Sequence, residues 1–237
     1  MSRSAIKAIL FDLDDTLWSI VPVIERAERV LHDWLERHAP AVARAVTIES
    51  MRARRQALMD SDPVYQLDLR RLRHTVLSEA MCEHGCDPAL ADDAIDVFSR
   101  ERNQVEPFAD VVPGLSRLAR RYALGSVSNG VADLQVIGLA HFFRASVAAH
   151  QLGLAKPEPA IFHAACEALQ VRPEESVYVG DDPLLDVQGA QRAGLAAVWL
   201  DRGLHPGRTV PAHVRPDAVC ADLHALHDWL ERQGMTP

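Results

Sequence analysis

Cysteine is scarce in this 237-residue sequence, and the four present (Cys82, Cys86, Cys166 and Cys220) are irregularly spaced. Such spacing argues against a disulfide framework and fits a reducing cytoplasm, the expected location. A surplus of positive charge is also missing. The formal net charge of −8 speaks against nucleic acid or an anionic membrane as the main partner. It leaves room for a phosphorylated small molecule, because a local pocket or a metal overrides the global sign. No apolar run approaches the ~20 residues needed to span a bilayer. No signal peptide is expected, since the apolar start AIKAILF is interrupted by Lys7 and runs into acid. Internal repeats and low-complexity segments are absent.

Several catalytic signatures are lacking too. The eleven histidines show no HExxH spacing, and no Gly-rich loop ends in GK[ST], which argues against a zincin and against ATP-driven chemistry. GSVSNG is no nucleophile elbow, because Ser126 stands two residues before Ser128 where Gly is required. Cys82, His84 and Cys86 gather in MCEHGC without a second ligand pair at zinc spacing, so the segment reads as a helix end at Gly85.

What is present falls into two textures. From Pro22 to about Arg102 the pattern is helical. Val23, Ala27, Val30, Leu31, Trp34 and Leu35 share one face of a first helix, with Pro22 near its start and Pro40 beyond its end. A second helix around MRARRQALM is capped by Thr47. A third carries the stripe Leu69, Leu72, Val76, Ala80 and Met81, and Asp87-Pro88 opens a fourth. From Pro113 onward, short apolar strands (YALGSVS, residues 145–148, SVYVG, LAAVWL, DAVC) alternate with helices. This pattern predicts an α/β fold with a mostly parallel sheet covered on both faces. The strand AILF would join that sheet, making the helical segment an insertion. The expected domains are a catalytic core, residues 1–18 and 108–237, and a four-helix cap, residues 19–107.

Polar residues collect at the carboxyl ends of three of these strands, where open α/β sheets bind ligands. DLDDT follows AILF, SNG follows ALGSV, and GDDPLLD overlaps the end of SVYVG; Lys156 opens the helix before that last strand. DxDxT, then Ser, then Lys, then GD with a further acid resembles the haloacid dehalogenase-like (HAD) hydrolase superfamily, in order and over nearly the whole chain. That resemblance implies a Rossmann-like core and a helical cap inserted after the first strand.

Removing a phosphate needs a nucleophile, in-line geometry and neutralisation of oxygen charge. By resemblance Asp12 is the nucleophile and forms an aspartyl-phosphate. Asp14 is placed to protonate the leaving oxygen and then activate water. Crowded carboxylates call for a cation, and a hard, oxygen-loving Mg²⁺ answers that need. The resemblance implies Mg²⁺ held by Asp12, the Asp14 carbonyl and Asp181. Asp186 is expected behind the metal or paired with Lys156, and Asp182 is the substitute ligand. Ser128 can donate to a phosphate oxygen, with amides near Asn129 and Gly130 facing the same anion. Lys156 offsets the charge of phosphate and Asp12. Thr16 is expected to fix the loop and Asp15 to shape the turn.

The acid at position 14 separates a phosphatase from the founding dehalogenases, whose halide needs no proton to leave. The cap segment contains no lysine, which excludes the Schiff-base chemistry of phosphonate hydrolases; a sugar phosphomutase keeps both acids and stays open. Specificity is expected from the cap, with Trp18 as an apolar wall or a core residue, and Arg73 and Asp68 facing the cleft. FDLDDTLW and VGDDPLLDVQGA are similar to a bacterial subgroup acting on the ribitylaminouracil phosphate of flavin synthesis and on flavin mononucleotide. Other sugar-phosphate, phosphoglycolate or nucleotide phosphatases, and a non-catalytic interaction protein of the same fold, are the alternatives. The expected partner is a small phosphorylated metabolite, and the apolar stripes assign no subunit interface.

Overall fold

The structure, a computed structural model, describes residues 5–232. Its described residues form two compact units. One comprises the residues up to Ser19, Glu106–Gly130 and Leu134 onward; the other comprises Ile20–Val105 with Val131–Asp133.

The first unit is built on a six-stranded sheet. Its strands are β1 (Ala8–Phe11), β2 (Ala123–Ser128), β3 (Ala145–Ala148), β4 (Ser176–Gly180), β5 (Ala196–Leu200) and β6 (Ala218–Cys220). They run in the order β3-β2-β1-β4-β5-β6, and every pairing is parallel. The expected α/β class is what the chain adopts. The unbroken apolar run AILF reflects a strand covered on both faces, with all four residues buried. Leu10, Val127 and Tyr178 belong to a core that packs onto Ile161 and Phe162 of the helix Pro159–Ala168. β1 lies between β2 and β4, where the strand order reverses. The crevice beyond the carboxyl ends of β1 and β4 is the place such a sheet offers a ligand.

Two helices of this unit are shorter or more irregular than the sequence suggests. The helix that follows β2 is only Leu134–Ile137, ended by Gly138 at φ +86. PLLDVQGAQRAG starts as a widened π-type turn, Pro183–Gln188, before Gly189–Arg192. The widening comes from Asp182, whose carboxylate accepts from the N–H groups of both Leu184 and Leu185. Asp186 in turn accepts from the Asp182 N–H.

Asp110 ties this unit together. It receives both guanidinium N–H groups of Arg202 at 3.0 Å and the Leu223 N–H at 2.8 Å. Burial alone would raise its pKa, but Arg202 and the Leu223 amide outweigh that and pull it below the usual carboxylate value. The sign follows: this stabilisation is complete above the unfolded pKa and is lost as pH falls through the folded one. Breaking such a buried pair on one side costs about 3–5 kcal/mol. Asp110→Ala is therefore expected to lower the urea midpoint at neutral pH without changing the slope. An unchanged midpoint would contradict this account of the pair.

The second unit is helical: α1 (Val21–His38), α2 (Pro40–Ala45), α3 (Ile48–Ser61), α4 (Val64–Leu67), α5 (Leu69–Glu83) and α6 (Leu90–Arg102). Four are long, as the periodicity predicts, and two are short connectors. Pro40 does not merely follow the first helix; it opens α2. Thr47 caps α3 reciprocally with Ser50, an arrangement worth about 1 kcal/mol. Gly85 at φ +68 lets the chain turn after α5, with the Cys86 N–H reaching the Met81 carbonyl at 2.9 Å. The core of this unit includes Ala27, Leu31, Leu35, Val76, Leu77 and Phe98.

The burial of α1 departs from its apolar pattern at one point. Glu28 is 4% exposed, whereas Val30 is only half-buried. Arg73, expected to face a substrate cleft, lies within this helical unit. Its guanidinium sits 4.0 Å above the Phe98 ring and 3.6 Å from Glu28. Its place on α5, four residues before buried Leu77 and seven before buried Ala80, turns it inward. Asp68 caps α5 by accepting from the Arg71 N–H.

Candidate active site

Each element contributes at the end where it leaves the sheet. Asp12 directly follows β1, and its N–H continues the ladder to the Val179 carbonyl at 2.9 Å. Ser128 ends β2, and Asp181 follows β4. Lys156, 5% exposed, joins these pieces. Its ammonium donates to Asp12 Oδ1 at 2.6 Å, to Asp186 Oδ1 at 2.6 Å and to the Tyr178 hydroxyl at 3.1 Å. An ammonium has three N–H groups, so this tripod leaves none unsatisfied. Tyr178 passes its own hydrogen to the Val127 carbonyl.

Lys156 is one of only two lysines in the chain, and its backbone is clamped. The Asn129 side chain accepts from the Lys156 N–H at 2.8 Å and donates to the Lys156 carbonyl at 3.1 Å. The Asn129 side chain thus orients the lysine. The Gly130 N–H, expected to face an anion, instead donates to Ser128 Oγ at 2.9 Å. Ser128 has accepted that bond and keeps its O–H to donate into the cleft.

Asp186 is 1% exposed and approaches β4 closely. A Cβ at Gly180 would lie 2.3 Å from Asp186 Oδ2, so only glycine lets this carboxylate reach Lys156. Asp182 spends its carboxylate on the turn that follows. Asp181 is held by the Thr16 hydroxyl at 3.3 Å and by Arg208, whose guanidinium reaches its carboxylate at 2.6 Å and its carbonyl at 3.2 Å. Thr16 thus braces the loop and Asp181 together.

The opening aspartates separate by environment. The Asp14 carboxylate lines the cleft and accepts from the Trp18 indole N–H at 2.8 Å. Trp18 itself is fully buried. It is a core residue that positions Asp14, and the apolar-wall reading is set aside. Asp15 takes φ +60, a left-handed turn that Asp tolerates better than most residues. Its carboxylate meets His205 at 3.0 Å.

Arg202, His205 and Arg208 come from the loop after β5, and sequence reasoning did not single them out. DRGLHPGRTVPAHVRP has neither periodicity nor a recognised motif. Only the return of the chain over Asp15, Thr16 and Asp181 gives these residues a place, with Arg202 Nε donating to the Thr16 carbonyl at 2.6 Å.

The electrostatics reflect the crowding. Burial works against the Lys156 ammonium, but Asp12, Asp186 and Tyr178 outweigh it and hold its pKa well above the usual lysine value. Burial, then repulsion from Asp186 and Asp181, pushes Asp12 upward against the pull of Lys156. Burial and Asp186 raise Asp181 to about 6, although Arg208 opposes them. Asp12, Asp181 and Asp186 offer oxygens within 4.8 Å of one another. Such a set of hard oxygen donors, repelling one another, suits a divalent cation. The cleft they line, with Asp14, Ser128 and Lys156, is open to solvent and has ≈ 180 Å³ of accessible room.

The family model of haloacid dehalogenase-like hydrolases matches residues 6–194. Among curated proteins, the phosphoserine phosphatase of Thermus thermophilus is 34% identical, over 93% of this chain and 97% of its own. The 5-amino-6-(5-phospho-D-ribitylamino)uracil phosphatase YigB of Escherichia coli is 33% identical over 82% and 83%. Among solved structures, a protein described as a 2-haloacid dehalogenase from Pseudomonas syringae superposes with a TM-score of 0.89 at 39% identity, over 96% of this chain and 99% of its own. With its parallel sheet, its carboxylate and lysine cluster and these matches, the chain belongs to the haloacid dehalogenase-like hydrolase family.

Proposed function

We propose that the chain is a Mg²⁺-dependent phosphomonoesterase of a small phosphorylated metabolite, working by phosphoryl transfer to Asp12. The observation that carries this reading is the pairing of Asp12, bound to a buried ammonium, with a second carboxylate, Asp14, lining the same cleft. The carboxylate of Asp12 attacks phosphorus while Asp14 protonates the departing ester oxygen. Asp14 then takes a proton from water, which attacks the aspartyl-phosphate and releases inorganic phosphate. The Ser128 hydroxyl donates to a phosphoryl oxygen, and the charge of Lys156 beside Asp12 offsets the repulsion between that carboxylate and the phosphate. Asp12, the Asp14 carbonyl and Asp181 would hold Mg²⁺, which when bound neutralises charge on the phosphate and among the carboxylates.

The relatives that act on phosphoserine and on the ribitylaminouracil phosphate make these two esters, with flavin mononucleotide, the first to try. Substrate choice is assigned, within this proposal, to residues 19–107, since the core recognises only the phosphate common to all esters.

The 39%-identical structure described as a dehalogenase supports a second reading, displacement of halide from a 2-haloacid by the same Asp12. That reaction has no use for a general acid at position 14 in its first step, because halide leaves without a proton. Assay of both ester and haloacid panels with Mg²⁺ or EDTA decides the matter. The phosphatase reading predicts ester turnover that EDTA abolishes and no chloride from 2-chloropropionate. Chloride release without ester turnover would reverse the assignment. Turnover of neither would favour a non-catalytic role.

Arg208 bears on the metal. Its guanidinium lies on Asp181, so it competes with a cation for that carboxylate. It is a third exposed, so screening reduces the effect to ~1 kcal/mol, or roughly fivefold in affinity. Arg208→Gln is expected to tighten Mg²⁺ binding by that factor in calorimetry. Weaker binding would mean that Arg208 orients Asp181 for the ion instead.

A further inference from the structure

The helical unit contains a second charged site that the reaction above does not use. Glu28 on α1 accepts at Oε2 from Arg52 Nε and Nη2, at 2.8 and 2.5 Å, and at Oε1 from Arg55 Nη2 at 2.5 Å. Arg73 of α5 approaches the same Oε1 no closer than 3.6 Å, and its buried Nη1 has no hydrogen-bond partner. Arg52 is half-exposed, so water screens its charge. Arg55 and Arg73 are only 12% and 16% exposed. Two enclosed guanidinium groups thus share one enclosed carboxylate, which leaves a surplus positive charge. Burial, then repulsion from Arg55, lowers the Arg73 pKa to about 9 in spite of Glu28.

An enclosed charge without a full set of partners is costly unless a counter-ion completes it. Beside these arginines the unit has a small cleft, partly open to solvent, with ≈ 30 Å³ of accessible room. Its walls include Leu31, Leu35, Val46, Ile48, Met51 and Leu77, and Glu28, His32, Arg55 and Arg73 complete the lining. A guanidinium fork matches the paired oxygens of a carboxylate or phosphate, and the walls match a short hydrocarbon.

We propose that this cleft binds a small organic anion, with its oxyanion head on Arg73 and Arg55 and its apolar body against the leucine, isoleucine and methionine walls. All the residues invoked belong to one compact unit. None of them belongs to the carboxylate and lysine cluster, so the proposal stands whether or not that cluster hydrolyses phosphate esters.

Calorimetry on the full chain at constant ionic strength tests it, with hexanoate, hexylphosphonate, acetate and hexanol as probes. Hexanoate or hexylphosphonate is expected to bind saturably at one site, and the better of the two identifies the head group. Acetate, lacking the tail, and hexanol, lacking the charge, are each expected to bind at least tenfold more weakly. Arg73→Gln and, as a second variant should the first fail to fold, Arg55→Gln are each expected to weaken binding at least tenfold. Asp12→Asn is expected to leave it unchanged. Binding that persists in a folded arginine variant, or that disappears in Asp12→Asn, would overturn the proposal, as would the absence of saturable binding.

Discussion

Asp12→Asn is expected to lower kcat for every phosphate ester by roughly a thousandfold or more, the scale on which enzymes lose rate with their nucleophile. An asparagine amide fills the same space but has no carboxylate to attack phosphorus. The substitution should spare the fold. Asp12 sits among carboxylates that repel it, and Lys156 keeps Asp186 and Tyr178 as partners after the change. Circular dichroism and the urea midpoint separate the two outcomes. A folded variant without activity supports the assignment, whereas a folded variant at wild-type rate removes Asp12 from the mechanism.

The second large effect belongs to Asp14. General acid–base groups contribute about 10²–10⁴-fold, and Asp14→Asn is expected to lose that much on alkyl phosphates. The loss should depend on the leaving group. An aryl alcohol departs without help, so the first step survives while the second, which needs a base to activate water, does not. With an aryl phosphate the variant should therefore release a burst of about one equivalent of alcohol per active site, followed by slow turnover. The backbone carbonyl at position 14 remains, so metal binding is not the cause. Equal losses on alkyl and aryl esters with no burst would contradict this division of roles.

Much of the site could be read from sequence because it is local. The apolar run AILF ends at Asp12, SVYVG ends before Asp181, and a strand buried on both faces puts the next polar residue at its carboxyl end. Strand order then brought together residues more than a hundred positions apart, such as Asp12 and Lys156. Other parts were not legible because they depend on how long side chains reach. Nothing in the loop after β5 announces that Arg208 will meet Asp181 or that His205 will meet Asp15. Asn129 has the look of a phosphate-loop residue, but its amide is committed to the Lys156 backbone. In the helical unit, Glu28 was not singled out, and Arg73 was expected to face a substrate cleft. A signal was nonetheless present: Glu28 lies one turn from Leu31 and Arg73 one turn from Leu77, on the buried faces of α1 and α5. A charge on an apolar stripe was the available sign of an enclosed ion cluster.

Phosphoryl transfer to Asp12 is tested most directly by trapping the covalent intermediate. Asp14→Asn, mixed with Mg²⁺ and an aryl phosphate and quenched in acid during the burst, should yield by mass spectrometry a peptide bearing a phosphoryl group on Asp12. A burst of alcohol with Asp12 unmodified, or with the phosphoryl group on another residue, would contradict the account.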